Sequence, residues 1–305
     1  MFTATTKILG KAQRGHYAVA HFNINNLEMV QAIVNAAMKL KSPVILATSE
    51  GAIQYAGMDY LYALAKTASE QANIPIALHL DHGRDITIIQ KAINIGYSSI
   101  MIDASPEDFE NNIALTKKIV QLAHRKGISV EAELGTIGGA EDEVSSRKIK
   151  YTDPLQAQEF VERTGCDFLA VAIGTSHGAY KFQGEAQLQL DRLREIRKKV
   201  RIPLVLHGAS GVPEKMVQEA QHYGADLTGV EGIPEAQVKA AIKEGITKVN
   251  TDTDLRLAFD AAVRKAIMTK PKDFDPRHIL APAREAMQKV AEQRIWVCGS
   301  VGKAR

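Results

Sequence analysis

Runs of apolar residues of strand length recur along the chain at Tyr17 to Ile24, Val44 to Thr48, Ile76 to Leu80, Ser99 to Ile102, Ile128 to Ala132, Phe168 to Ile173, Leu204 to Leu206 and Ile246 to Val249. Between them the apolar positions shift to helical spacing, at Leu27 to Leu40, Tyr60 to Gln71, Ile86 to Ile95, Glu107 to Lys126, Leu155 to Thr164, Leu188 to Lys199, Pro213 to Ala220 with a second unit at Glu235 to Glu244, and Thr253 to Met268. Near-continuous apolar strands alternating with amphipathic helices predict a parallel sheet covered by helices, and eight such units predict a (β/α)₈ TIM barrel. Ser105-Pro106, Asp153-Pro154 and Val212-Pro213 are expected to open helices, and Gly96, Gly127, Gly165 and Gly245 to close them. A doubly wound open sheet is the competing architecture, but no Gly-x-Gly-x-x-Gly turn follows the first strand.

The long stretch Gly135 to Thr152 has no clear periodicity and reads as an irregular loop of the kind that forms lids. After Met268 a polar connection leads to a helical pattern from Pro282 to Trp296, so residues 1–305 are expected to form one barrel domain with 269–305 as a C-terminal helical extension.

Composition narrows the function without choosing it. Lys plus Arg number 38 against 35 Asp plus Glu, a surplus too small to suggest nucleic acid; the basic run Arg192 to Arg201 lies on a helical pattern and reads as a solvated face. Cys166 and Cys298 have no spacing partners, so neither a disulfide framework nor a thiolate zinc site is expected. The N-terminus lacks the pattern of a signal peptide and no run of about 18 apolar residues occurs, so no membrane is implied and a cytoplasmic location is expected.

The chemistry sits where the strands stop. In chain order the ends carry Asn23, Ser49, Asp81 with His82, Asp103, Glu133, His177, His207, and Asn250 with Asp252. In a (β/α)₈ barrel these ends converge on one rim, where the active sites of that fold are built. His82, His177 and His207 offer three imidazoles, and three neutral imidazoles around one ion form a catalytic zinc arrangement. Small-residue turns at 174–178, 207–211 and 250–253 present backbone N–H groups and hydroxyls suited to a phosphate on the same rim.

Five segments together carry a family resemblance: His79-Leu80-Asp81-His82-Gly83, Val130-Glu131-Ala132-Glu133-Leu134-Gly135, Ala172-Ile173-Gly174-Thr175-Ser176-His177-Gly178, Leu206-His207-Gly208-Ala209-Ser210 and Lys248-Val249-Asn250-Thr251-Asp252-Thr253-Asp254. In this order, across essentially the whole chain, they resemble the class II, metal-dependent fructose-bisphosphate aldolases. The resemblance implies reversible cleavage of the sugar bisphosphate fructose 1,6-bisphosphate to the triose phosphates dihydroxyacetone phosphate and glyceraldehyde 3-phosphate, in glycolysis and gluconeogenesis. It makes His82, His177 and His207 ligands of a catalytic Zn²⁺, with Asp103 and Glu133 at a second or alternative metal position and room for a monovalent cation. Asp81 matches the acid/base for the hydroxyl proton, and Glu141 the carboxylate that exchanges the proton on dihydroxyacetone phosphate.

Gly178, Gly208, Ala209, Ser210, Asn250, Thr251, Asp252 and Thr253 match that ligand's binding loops, with Ser49 near the aldehyde half, Asn23 on the rim and Lys181 a further phosphate candidate. Arg277 resembles the arginine that reaches the distal phosphate from a neighbouring subunit, which implies a homodimer or homotetramer. Three other readings are weighed beside this one. An aldolase of the same class acting on tagatose 1,6-bisphosphate differs at one carbon, which no motif resolves. A Schiff-base aldolase needs a desolvated strand lysine, for which Lys248 is the only candidate, and leaves the histidines unexplained. A non-catalytic binding barrel has no use for Asp81 and Glu141.

Overall fold

A computed structural model describes residues 1–141, 144–146, 150–177 and 187–304, with the backbone alone described for 138–141, 144–146 and 176–177. Among the described residues eight parallel strands close into a barrel: β1 (Val19–Asn23), β2 (Val44–Thr48), β3 (Ile76–Gly83), β4 (Ser99–Ile102), β5 (Ser129–Leu134), β8 (Phe168–Val171), β10 (Leu204–Leu206) and β11 (Ile246–Thr251). They neighbour one another in chain order, and β1 closes the ring on β11 with Val19 opposite Lys248 and Phe22 opposite Thr251. Every described barrel-strand residue is buried, which is why the strands read as unbroken apolar runs.

Helices shield the outer face. α2 (Leu27–Leu40), α4 (Met58–Gln71), α5 (Ile86–Ile95), α6 (Phe109–His124), α7 (Pro154–Thr164), α8 (Leu190–Lys199), α9 (Glu214–His222), α10 (Glu235–Lys243) and α11 (Thr253–Thr269) follow the predicted units within a few residues. Asn26, Asp85, Asp108 and Asp153 cap α2, α5, α6 and α7 through side-chain oxygens that accept from the first-turn N–H groups. Ser105-Pro106 does not open α6 as expected; the cap is Asp108, one turn later, because Ser105 is engaged by Asp103 instead.

Two helices were not legible in the sequence. α1 (Thr5–Gly15) lies against the N-terminal end of the barrel, where Ile8, Leu9 and Ala12 pack with Val19, Ile45, Ala77, Phe168, Ala170 and Val205 in a cluster distinct from the main core. Thr5 Oγ1 donates to Ser99 Oγ at 2.8 Å and anchors it. The seven-residue α3 (Glu50–Ala56) is capped by Ser49. At the other end of the chain α12 spans Pro276–Cys298, a longer helix than the predicted tail; it packs on α2 and α11 and carries Pro282 in its interior.

The stretch 135–152 is not wholly irregular. β6 (Gly138–Glu141) and β7 (Val144–Ser146) pair antiparallel, and β6 pairs with β9 (Ser176–His177), placing Gly139 opposite His177. These strands are short and β6 finds its second partner almost forty residues away, so local pattern could not announce the sheet. Among the described residues no helix is long and apolar enough to cross a membrane.

Candidate metal centre and catalytic rim

Side chains two residues apart on a strand share a face, so a barrel strand carries tiers of inward-facing residues up to the rim. On β1 the sequence Val19, His21, Asn23 passes from apolar to polar; on β3 the same happens through Ala77, His79 and Asp81. β3 runs past Leu80, where the apolar run ends, through Gly83, with a register shift against β4. That irregularity places Asp81 and the next residue, His82, both in the mouth, and His82 takes φ of 47°, a left-handed conformation uncommon for a side-chain-bearing residue and typical of functional sites. Gly83 must be glycine, since a Cβ there would lie 2.7 Å from the Met101 carbonyl oxygen.

Asp81 is held by two amides. Asn23 Nδ2 donates to its Oδ2 at 2.9 Å and Asn250 Nδ2 to its Oδ1 at 3.2 Å. Both flanking residues were expected on the rim, Asn250 for its match to a ligand-binding loop and Asn23 as a strand end; their grip on the acid/base candidate is new. His82 sits between two partners. Its Nδ1–H donates to Asp103 Oδ2 at 3.0 Å, and its Nε2 lies 2.9 Å from His207 Nδ1, the rings crossing at 83°. Asp103 is itself fixed by Arg84 at 2.8 Å and Ser105 Oγ at 2.7 Å. His207 in turn donates Nε2–H to Glu131 Oε1 at 2.7 Å.

These outer bonds decide the tautomers. With Nδ1–H of His82 committed to Asp103 and Nε2–H of His207 committed to Glu131, the two facing nitrogens would present opposed lone pairs unless a proton or a metal cation lies between them. Such an approach calls for a cation on that side. The carboxylate–imidazole pattern behind each ring is the one that orients metal-ligating histidines. Donor atoms of Asp81, His82 and His207 lie within 4.8 Å of one another, as do those of His82, Asp103 and Glu133, so two of the three expected histidine ligands come together with the acid/base candidate, and His82 also joins the two carboxylates of the second position. The backbone of His177 lies in β9, paired with β6; its side chain and that of Glu141 lie outside the described residues, as do Gly178 and Lys181 altogether.

The field agrees. Burial opposes charge on His82, but the Asp103 bond and the carboxylates of Asp81, Asp103 and Glu133 outweigh it and lift its pKa to about 10. Burial pushes Glu133 up to about 8, with Asp103 adding repulsion, and Glu133 Oε2 has no hydrogen-bond partner among the described residues. Asp103 moves the other way: burial would raise it, but His82 and Arg84 hold it below the usual carboxylate range. A buried carboxylate oxygen without a donor, beside an imidazole in a negative field, suits a divalent cation.

The family model for class-II fructose-bisphosphate aldolase matches residues 3–226 and 227–303, almost the full length. The chain belongs to the class-II fructose-bisphosphate aldolase family. It is 48% identical over 306 residues to the fructose-bisphosphate aldolase of Thermus caldophilus, covering 100% of both chains, and 45% identical to that of Giardia intestinalis, covering 98% of this chain and 93% of the relative. Among solved structures it resembles the YdjI aldolase of Escherichia coli K12, with a TM-score of 0.82 at 37% identity over 100% of both chains. Class II aldolases are metal-dependent, and the rim residues fit that requirement.

Beneath the aldolase rim lies a tier that sequence reading overlooked. Glu131 and Lys248 are fully buried, with Lys248 Nζ 2.8 Å from Glu131 Oε2; His79 Nε2 lies 3.6 Å from the same oxygen. Two charged residues inside otherwise apolar strands were the available signal. Lys248, the Schiff-base candidate, is thus ion-paired below the rim. Most of the remaining predicted residues follow the ends of other barrel strands. Ser49 is nearly buried at the end of β2, where its Oγ accepts the Ala52 N–H as the cap of α3. Gly208, Ala209 and Ser210 follow β10, and Thr251, Asp252 and Thr253 join β11 to α11, with Asp252 paired to Arg256 at 2.6 Å. Arg277 stands apart, 85% exposed at the start of α12 and paired with Asp275.

Proposed function

We propose that this chain cleaves fructose 1,6-bisphosphate reversibly to dihydroxyacetone phosphate and glyceraldehyde 3-phosphate, with Zn²⁺ held by His82, His207 and His177. The observation that carries the reading is the carboxylate of Asp81, clamped by Asn23 and Asn250 next to the facing nitrogens of His82 and His207, in a chain of this family. When bound, the divalent ion supplies a fixed positive charge for the substrate oxygens on which negative charge develops.

The chain's own residues do the rest. Asp81 takes the C4 hydroxyl proton as the C3–C4 bond breaks and returns it during condensation, and the two amides keep its oxygens aimed at that position. Glu141 exchanges the proton on the dihydroxyacetone phosphate carbon. The turns 208–210 and 250–253, with Gly178, receive that ligand's phosphate, Ser49 lies beside the aldehyde half, and Lys181 assists a phosphate. Asp103 and Glu133 offer the second or alternative metal position, and a monovalent cation completes the phosphate site. Arg277 serves the distal phosphate of a neighbouring subunit, consistent with its exposure at a helix start; the working enzyme is then a homodimer or homotetramer, placed in the cytoplasm and in glycolysis and gluconeogenesis.

Initial rates with fructose and tagatose 1,6-bisphosphate, measured on zinc-loaded protein, test the proposal directly. Cleavage of the fructose substrate with the higher kcat/KM is expected. A preference for the tagatose isomer would keep the mechanism and change the substrate, and inertness towards both would end the proposal. Mixing Arg277→Ala with Asp81→Asn protein should restore activity through hybrid assemblies, and a monomer by light scattering would remove the shared site.

A further inference from the structure

The turns after β10 and β11 are fastened together from behind by two buried charges that no part of the mechanism above uses. Arg294, on the face of α12 turned towards the barrel, is only 3% exposed. Its Nη2 donates to the Ala209 carbonyl at 2.6 Å, its Nε donates to Thr251 Oγ1 at 3.3 Å, and the same Nε lies 3.8 Å from Asp254 Oδ2. Asp254, in the first turn of α11 and 1% exposed, accepts from Gly211 N–H at 3.0 Å and from Val212 N–H at 2.7 Å. One guanidinium and one carboxylate therefore grip both turns, and the Asp252 N–H adds a direct bond to Ser210 Oγ at 3.3 Å.

The grip holds backbone that would not hold itself. Val212 has φ of 45°, costly for a β-branched residue, and its N–H is bound by Asp254. A Cβ on Gly211 would come within 3.3 Å of the Arg294 guanidinium, so the arginine packs against bare backbone. Because a trans peptide is planar, its C=O and N–H point in opposite directions. Drawing the Ala209 carbonyl towards α12 therefore turns the Ser210 N–H away from it.

We propose that Arg294 and Asp254 are positioning residues of the phosphate subsite: they set the spacing and peptide orientation of the 208–210 and 251–253 turns while remaining out of reach of the ligand. This rests on the aldolase reading, in which those turns bind the triose phosphate group. Arginine suits the task because its planar fork can hold a carbonyl, a hydroxyl and a carboxylate at once, which a lysine ammonium on a flexible stem does not reproduce. The carbon chemistry at Asp81 and His82 does not depend on these bonds, so their loss should weaken phosphate binding and spare turnover.

The test uses zinc-loaded wild type, Arg294→Lys, Arg294→Gln and Asp254→Asn, with five readouts: zinc content, melting temperature, kcat, KM for fructose 1,6-bisphosphate, and the inhibition constant of inorganic phosphate. Arg294→Lys and Asp254→Asn should each raise KM and the phosphate inhibition constant about tenfold, as expected for losing one oriented charge-assisted hydrogen bond, with kcat within about threefold and zinc content unchanged. A residue that only supports the fold would lower the melting temperature and leave both constants in place. Arg294→Gln is the harsher change; if it fails to fold, the two milder variants still decide. KM and phosphate inhibition within twofold of wild type in both folded variants, or loss of kcat at unchanged KM, would overturn the inference while leaving the aldolase reading intact. Wild type that neither cleaves the substrate nor responds to phosphate overturns the aldolase reading first.

Discussion

The two ends of the barrel interior are built by the same strands and filled by opposite chemistry. At the N-terminal end Val19, Ile45, Ala77, Phe168, Ala170 and Val205 meet Ile8, Leu9 and Ala12 of α1 in a dry apolar cluster. Two and four residues further along β1 and β3 the inward positions are His21 and Asn23, and His79 and Asp81. Between the extremes the ion pair of Lys248 and Glu131 is wholly excluded from water. Burial of apolar surface stabilises a fold at about 25 cal/mol per Å², whereas burying paired charges is close to neutral at best. Stability in this barrel is therefore loaded towards the plugged end, and the open end spends its positions on orienting imidazoles and carboxylates.

That contrast can be broken most severely at the open end. A chelator should abolish activity, and added Zn²⁺ or Co²⁺ should restore it, with the circular dichroism of the barrel unchanged throughout; full activity after metal stripping would refute a metal centre. Asp81→Asn comes next. It should keep metal and fold and lose about 10² to 10⁴ in kcat, with substrate affinity little altered, and cleavage within tenfold of wild type would remove Asp81 from the chemistry.

The middle tier tests whether the ion pair is a support. Lys248→Met leaves Glu131 buried and uncompensated, so urea denaturation should show a loss of about 3–5 kcal/mol. Metal affinity should fall with it, because Glu131 orients His207; replacing both Lys248 and Glu131 by apolar residues should recover the stability and not the affinity. At the closed end Leu9→Ala should cost about 2–5 kcal/mol of stability by leaving a cavity, and kcat at 25 °C should stay within twofold of wild type. A large kcat effect there would mean the two ends are coupled more tightly than their packing indicates.

What could be read from the sequence follows the same division. Runs such as Val44 to Ala47 and Phe168 to Ile173 are apolar throughout because both faces are covered, and the polar residues beyond them mark the rim. That rule alone pointed to His82, Asp103, Glu133 and His207, whose donor atoms the barrel brings together. Glu131 and Lys248 were not, since a single charge inside a strand looks like an exception until the barrel brings the two together across its interior. α1 escaped because its three buried anchors, Ile8, Leu9 and Ala12, are sparse among polar residues and find their partners only on strands far ahead in the chain. Arg294 and Asp254 escaped for the same reason: a helix on the outside of the barrel gives no local sign that its arginine ends beneath a turn forty-odd residues earlier.

The plug formed by α1 also sets an order of events during synthesis. α1 leaves the ribosome ahead of the barrel strands and binds a surface whose later members, Phe168, Ala170 and Val205, are made long after it. At about 5–20 residues per second, the interval from residue 9 to residue 205 is about 10 to 40 s. Through that time Ile8 and Leu9 have no native partner among the late strands, so a segment made before every barrel strand is among the last to reach its complete seat, and molecular chaperones that shield apolar segments have a defined window in which to act.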